Sequence, residues 1–325
     1  MTRTSRVAAV FFLGATAFAT QAFAQADRYP SRSIQLVVPW APSGPTDVFA
    51  RLIAGHLQSA WGQPVVVDNR AGGSGTIGAA FVARSAPDGY TLLFNSVSNV
   101  IAPLLQKTPA YDPVQAFEPV AMTARIPQII VVAEKVPARN LPEFIAWARQ
   151  RPGAVNYASP GVGSIAHLVM EMLKERAHID VVHIPYKGGA PVLSALLANE
   201  VQVACSDMLL ARPHIDAGKM RALVQLGSER SPLVRDVPAI TEAGLPDFGV
   251  SFWNGLFAPK GTPVAIVTKL NQEVNRAMAS RPIAEKAVAF GTESLAVSPD
   301  AFRARIAQDA ALYGDLIGRH KIVAE

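Results

Sequence analysis

Short β-branched runs alternate with stretches whose apolar residues recur at helical spacing, the pattern of a parallel α/β chain. Ile34 to Val38 predicts a strand, and Phe49, Leu52, Ile53, Leu57 and Trp61 predict one face of a helix opening near Pro45. Val65 to Val67 predicts the next strand. A glycine-rich turn, a helix over Thr76 to Arg84, a Pro87-Asp88-Gly89 turn and a strand over Thr91 to Phe94 follow. A second series starts with the apolar strand Gln128 to Val132 and a helix over Leu141 to Gln150. Strands at Asn156 to Ser159, Val181 to Pro185 and Val201 to Cys205 continue it, with helices from Ile165 and from Pro191 between them. Arg221 to Leu226 predicts the strand that returns the chain to the first series, and two helices, Pro263 to Ala279 and Pro299 to Gly318, close it. The expectation is an α/β protein of two lobes, each a mainly parallel sheet flanked by helices. Residues 25–126 with 228–325 would form one lobe and 127–227 the other.

One arrangement recurs in both series: a buried strand ends, a loop of Gly, Ser and Pro follows, and a helix begins. Such a junction aims unpaired backbone N–H groups and the positive end of a helix toward the C-terminal edge of the sheet, where open α/β sheets hold ligands. Three junctions have this form: Ala41 to Asp47, Ser159 to Ser164, and Tyr186 to Ala190. Each is also an ordinary strand-to-helix connection, so no one of them alone defines a site.

The N-terminus changes the picture from a protein to an exported protein. Arg3 and Arg6 precede an apolar stretch from Val7 to Phe18 and a small-residue cleavage pattern, Ala22-Phe23-Ala24, the order of a secretory signal. The apolar run is too short to span a bilayer, which takes about 20 residues. Cleavage after Ala24 is expected, with a periplasmic chain starting at Gln25 and no lipid-anchoring cysteine. The signal holds two of the 30 basic residues and none of the 25 acidic ones, so removing it lowers the formal net charge from +5 to +3. The basic residues are scattered, without the aromatic-interleaved clusters of a nucleic-acid surface. The lone cysteine, Cys205, excludes an internal disulfide and sits in an apolar run that predicts a buried thiol.

Candidate catalytic chemistry is thin. Gly73-Ser74-Gly75-Thr76-Ile77-Gly78 spells GxGxxG, but the acidic residue that should close a second strand falls in the Pro87-Asp88-Gly89 turn instead. A glycine turn that lets loop and helix pack closely is the simpler reading. No serine sits in a GxSxG elbow. Ser164 and His167 lie three apart at a helix start and could touch, with Asp207 as a conceivable third member, but nothing in the sequence orients them as a triad. The six histidines form no HxxxH or HExxH pair, so no metal is expected.

Several motifs in order resemble one family. Tyr29-Pro30 through Pro39-Trp40 and Gly44-x-x-Asp47 open the series. Asp68-Asn69-Arg70-Ala71-Gly72, Gly75-Thr76-Ile77-Gly78 and Ala86-Pro87-Asp88-Gly89-Tyr90 follow. Further along stand Gly161-x-Gly163-Ser164-x-x-His167, Pro185-Tyr186-Lys187-Gly188, Glu242-Ala243-Gly244 and Trp253-x-Gly255-Leu256-Phe257. Together they resemble the Bug proteins, periplasmic binding components of tripartite tricarboxylate transporters. The resemblance implies a two-lobed Venus-flytrap fold of type II with two crossing strands, no cofactor and no enzymatic activity. It implies a small organic carboxylate as ligand, membrane transporter subunits as partners, and a chain acting as a monomer. Carried over by position, the ligand-binding residues would be Ala41, Ser43, Gly44 and Thr46 in the first loop and Ser96 and Asn99 after the third strand. In the second lobe they would be Gly161, Gly163, Ser164, His167 and Asp207. Ser43 departs from the family's usual Gly-Gly. Neither the acid itself, nor a role in ligand presentation to a sensor kinase as against transport, is set by these residues.

Overall fold

The computed structural model describes residues 29–323 apart from 43, 44, 187, 228, 247, 249, 251 and 290. The export segment therefore lies outside the described residues, as do Ser43 and Gly44. The first sheet joins β1 (Ile34–Val38), β2 (Val65–Asn69), β3 (Thr91–Ser96), β4 (Phe117–Arg125), β10 (Trp253–Pro259) and a short β11 (Glu293–Ser294). Its order is β11-β4-β10-β3-β1-β2. The second joins β5 (Gln128–Ala133), β6 (Val155–Ser159), β7 (Val181–Pro185), β8 (Val203–Asp207) and β9 (Met220–Gln225), in the order β7-β6-β8-β5-β9.

Helices cover both sheets. Around the first lie α1 (Pro45–Trp61), α2 (Thr76–Ala83), α3 (Ser98–Leu104), α8 (Val264–Ala279) and α9 (Arg281–Ala289). Around the second lie α4 (Leu141–Arg149), α5 (Ile165–Ala177), α6 (Gly189–Leu197) and α7 (Met208–Asp216). The last helix, α10 (Pro299–His320), packs on β4 and α3 and reaches α5 with its end. Among the described residues no helix is long and apolar enough to cross a membrane.

β1 shows why these runs are strands. Ile34, Leu36 and Val38 face one core with Phe49, Ile53 and Leu57 of α1, while Val37 faces the other with Ala79 and Val82 of α2. Period-two burial on both faces is what a helix-covered sheet demands. The second of these cores runs on without a break into the second sheet, and Phe302, Ile306, Tyr313 and Leu316 of α10 belong to it.

Both sheets are mixed, where the alternation of elements pointed to mainly parallel ones. β1, β2 and β3 are parallel, as are β6, β7 and β8. β10 runs antiparallel to β3 and β4, and β5 antiparallel to β8 and β9. The antiparallel strands are the ones that carry the chain between sheets. β4 passes into β5 across Ile126-Pro127 alone, and β9, still an edge strand of the second sheet, precedes the return to β10. Apart from those antiparallel strands, the parallel set in each sheet points its C-terminal ends toward the space between the sheets.

Candidate functional site: a cleft fed by six strand ends

A cleft of about 410 Å³ lies between the two sheets, and each of the six parallel strands delivers residues to it. Trp40 follows β1, Ser74 follows β2, and Ser98 follows β3. Pro160 to Ala166 follow β6, Gly189 follows β7, and β8 contributes Cys205, Ser206 and Asp207 from its own end. Convergence of strand ends on one crevice is the general ligand position of open α/β sheets. Ile101, Ala102, Leu105, Val192, Leu210 and Phe252 add an apolar wall, and Asp207 is the one charged side chain among the described lining residues.

The most donor-rich part is the start of α5. Ser164 is its N-cap in extended conformation, and its Oγ accepts from the His167 N–H at 3.3 Å. The loop before it is tied inward. The Gly163 N–H donates to His167 Nδ1 at 3.0 Å, the Ser164 N–H to the Gly161 carbonyl at 3.2 Å, and the Gly161 N–H to Ser159 Oγ at 3.2 Å. That leaves the N–H groups of Val162, Ile165 and Ala166, all lining the cleft, with no acceptor among the described residues. A helix start with open donors and its positive pole toward a crevice is an anion site in geometry and in field.

His167 does not enter the cleft wall. Its ring stacks on His183 at 4.0 Å between centroids, His183 stacks on Tyr157 at 4.7 Å, and His183 Nε2 bonds Ser159 Oγ at 2.6 Å. Burial, with the nearby His183, pushes the His167 pKa down to about 4, which keeps Nδ1 an acceptor for the Gly163 N–H at neutral pH. The ring is thus engaged with the loop backbone, and the Ser164 hydroxyl meets the His167 amide rather than its imidazole. Ser164 and His167 therefore do not form a nucleophile–base pair.

The first lobe presents its side through an equally fixed frame. Asn69 at the end of β2 donates to the Trp40 carbonyl at 3.1 Å and to Asp47 Oδ1 at 2.8 Å, so Asp47 and Asn69 clamp both ends of the loop between them. The Trp40 indole N–H donates to Asn95 Oδ1 at 2.9 Å, and Asn95 in turn donates to Asn99 Oδ1 at 3.2 Å. Gly78 lets α2 press on this frame: a Cβ there would stand 2.9 Å from the Arg70 carbonyl and 3.0 Å from Pro39 Cβ. The glycine motif is therefore a packing device, as its missing acidic partner implied.

Of the residues singled out in the sequence, Gly161, Gly163, Ser164 and Asp207 line the cleft together. Asn99 is fully buried beneath Trp40, and His167 sits behind the α5 loop. Ser96 ends β3 with its Oγ accepting from the Ser98 N–H at 3.3 Å, and it is Ser98 that lines the cleft. Ala41 is exposed and Thr46 half-buried in the first turn of α1; neither is among the lining residues. Trp40, Ser74, Gln128, Ser206 and Phe252 line it without having been singled out. Ser98, Ile101, Ala102 and Leu105 also do, and their i, i+3, i+4, i+7 spacing was a helical signal present in the sequence. Cys205 is buried, as its apolar run implied, and burial pushes its thiol well up. Among the described residues no group of three or more His, Cys, Asp and Glu is placed to hold a metal.

The profile of the tripartite tricarboxylate transporter family receptors matches residues 49–321. BugT of Bordetella pertussis is 40% identical over 286 residues, 87% of this chain and 88% of that protein. Among solved structures, the periplasmic binding protein BugD superposes with a TM-score of 0.72 at 33% identity, over 91% of this chain and 100% of BugD. MatC of Rhodopseudomonas palustris, solved with bound malate, gives a TM-score of 0.72 at 34% identity, over 89% of this chain and 100% of MatC. With two helix-flanked sheets about one crevice and a family match running through nearly all of both, the chain belongs to the tripartite tricarboxylate transporter receptors, solute-binding proteins of the periplasm and not enzymes.

Proposed function

We propose that the cleft holds a small organic carboxylate by neutral donors. The observation that carries this reading is the trio of open N–H groups at the positive end of α5, on Val162, Ile165 and Ala166, three residues that line the crevice. The Ser164 hydroxyl, whose oxygen already accepts from His167, keeps its own proton to donate to the same anion. Ser74 and Ser98 offer hydroxyls from the opposite lobe, and Ala41, Ser43, Gly44 and Thr46 are carried over as further ligand contacts from the family resemblance alone. Gly161 and Gly163 shape the loop, while Asn99 and His167 hold the two sides of the site from behind. Anion sites built from backbone donors favour charge without a full ion pair. Malate bound to MatC, a structural relative, supports a carboxylate here.

In this reading, residues 25–126 with 228–325 and residues 127–227 move as two lobes about the β4–β5 crossing and the return to β10. The ligand favours the closed arrangement by its higher affinity for it. The chain is exported with cleavage after Ala24, works as a monomer, and hands its ligand to the membrane subunits of a tripartite transporter. A thermal-shift screen of the exported protein against mono-, di- and tricarboxylates tests the reading. A dose-dependent rise in melting temperature with at least one acid is expected, and no rise with any of them would refute it.

A further inference from the structure

The floor of the cleft carries a charge that a plain anion site would avoid. Asp207 ends β8 and opens on the crevice, paired across the antiparallel register with Gln128, whose side-chain amide donates to one carboxylate oxygen. The other oxygen has no hydrogen-bond partner among the described residues, and no Lys, Arg or His among them forms an ion pair with Asp207. The Ser206 hydroxyl turns to the Asp207 carbonyl at 3.3 Å instead. Asp207 is the N-cap residue of α7, yet its side chain makes no cap bond. Its titratable neighbour is the Cys205 thiol, which burial keeps neutral. A half-buried acid with one neutral donor and one open oxygen is an incomplete arrangement, because buried charge needs a partner.

Resting on the carboxylate reading above, we propose that Asp207 completes itself with the ligand. The bound molecule carries a carboxylate at one end, for the start of α5, and a hydrogen-donating group, ammonium or carboxamide, for Asp207. The cleft then has a positive pole of backbone donors, a negative pole at Asp207, and the apolar side chains of Ile101, Leu105, Val192 and Leu210 in the same wall. An ammonium or amide meeting Asp207 forms a charge-assisted bond in a site of low dielectric. A second carboxylate there meets like charge, unless one of the two acids takes up a proton. Burial raises the Asp207 pKa and so opens that second route, in which a protonated Asp207 donates to a dicarboxylate. The two routes respond oppositely to pH.

The experiment is calorimetric titration of the mature protein with three series matched in length from three to seven carbons: ω-amino carboxylates, their ω-carboxamide counterparts and α,ω-dicarboxylates. Simple n-alkanoates serve as the reference. At pH 7.5 the best donor-ended ligand is expected to bind about tenfold or more tighter than the dicarboxylate of its length. Asp207→Asn is expected to abolish that preference, so that donor-ended and carboxylate-ended ligands of one length bind within about threefold of each other. A wild-type preference for dicarboxylates that weakens from pH 5 to pH 8 overturns the proposal in favour of the protonated acid. An equal preference in wild type and Asp207→Asn also overturns it. If Asp207→Asn does not fold, the wild-type ratio and its pH trend decide alone. Alkanoate binding with no discrimination between end groups sinks this inference and leaves the carboxylate reading standing. No binding by any carboxylate sinks both.

Discussion

Ser164 serves the fold and the site with different atoms. Its oxygen caps α5 by accepting from His167, and its proton is available to a ligand in the cleft. Ser164→Ala is therefore expected to lower the stability of the ligand-free protein by about 1 kcal/mol. The same change is expected to weaken carboxylate binding roughly tenfold or more, through loss of a hydrogen bond to a charged group. Melting curves without ligand and calorimetry with it separate the two; lowered stability with an unchanged Kd would leave Ser164 a cap and nothing else. His167 sets a pH limit behind it. Its folded pKa is depressed to about 4, so the unfolded chain binds a proton that the folded one refuses between that value and the ordinary 6.5. Stability is expected to fall as pH drops from about 6.5 to 4, by at most about 3 kcal/mol for this group. His167→Gln should flatten that part of the pH–stability curve, and an unchanged slope would contradict the assignment. At this scale the sequence was legible where a residue opens a helix just after a strand or its glycine loop, as Asp207 and Ser164 do. Asn99 and His167 were legible as important but not as hidden, because one helical turn separates a lining side chain from a supporting one.

Two elements show where the pattern ran out. α3 is seven residues long with Pro103 inside it, so the helical spacing of Ser98, Ile101, Ala102 and Leu105 was present but too short a run to be picked out, and these residues form one wall of the cleft. β4 and β10 were missed as strands although the Trp253-x-Gly255 motif lies in the second of them. They pair antiparallel in the middle of a sheet buried on both faces, so polar alternation is absent. The motif has its explanation in α10. A Cβ on Gly255 would stand 2.4 Å from Phe302 Cζ, where the ring packs edge-on against Trp253 at 5.0 Å. Gly255→Ala is expected to destabilise the protein by about 1–3 kcal/mol through overpacking, read from denaturant midpoints. Gly163 makes the comparable approach across the cleft. Its φ is +74°, and a Cβ would lie 2.6 Å from Leu105 Cδ1 at the end of α3. Gly163→Ala should cost roughly 1–2 kcal/mol of backbone strain. It should also weaken ligand affinity, because the contact joins residues on opposite sides of the crevice. Unchanged affinity at lowered stability would mean that the approach plays no part in closing the site.

For the whole molecule, alternation of strands and helices was enough to read an α/β chain in two series, but not the mixed direction of its sheets. That direction comes from the crossings, and a crossing is a long-range pairing that no local period records. α10 likewise looks from sequence like one more terminal helix. In the structure it shares the core of the first sheet through Phe302 and meets the second through Arg319 and His320, which pair with Glu175 on α5. Both halves of the molecule thus frame a crevice whose largest group of open backbone donors lies at the start of α5. The most direct test of that account is calorimetric titration of the mature protein with the acid that gives the largest thermal shift and with its methyl ester, which removes the charge and keeps the shape. One-site binding of the acid with the ester at least about a hundredfold weaker is the expected result; equal affinity for acid and ester would contradict an anion site at the start of α5.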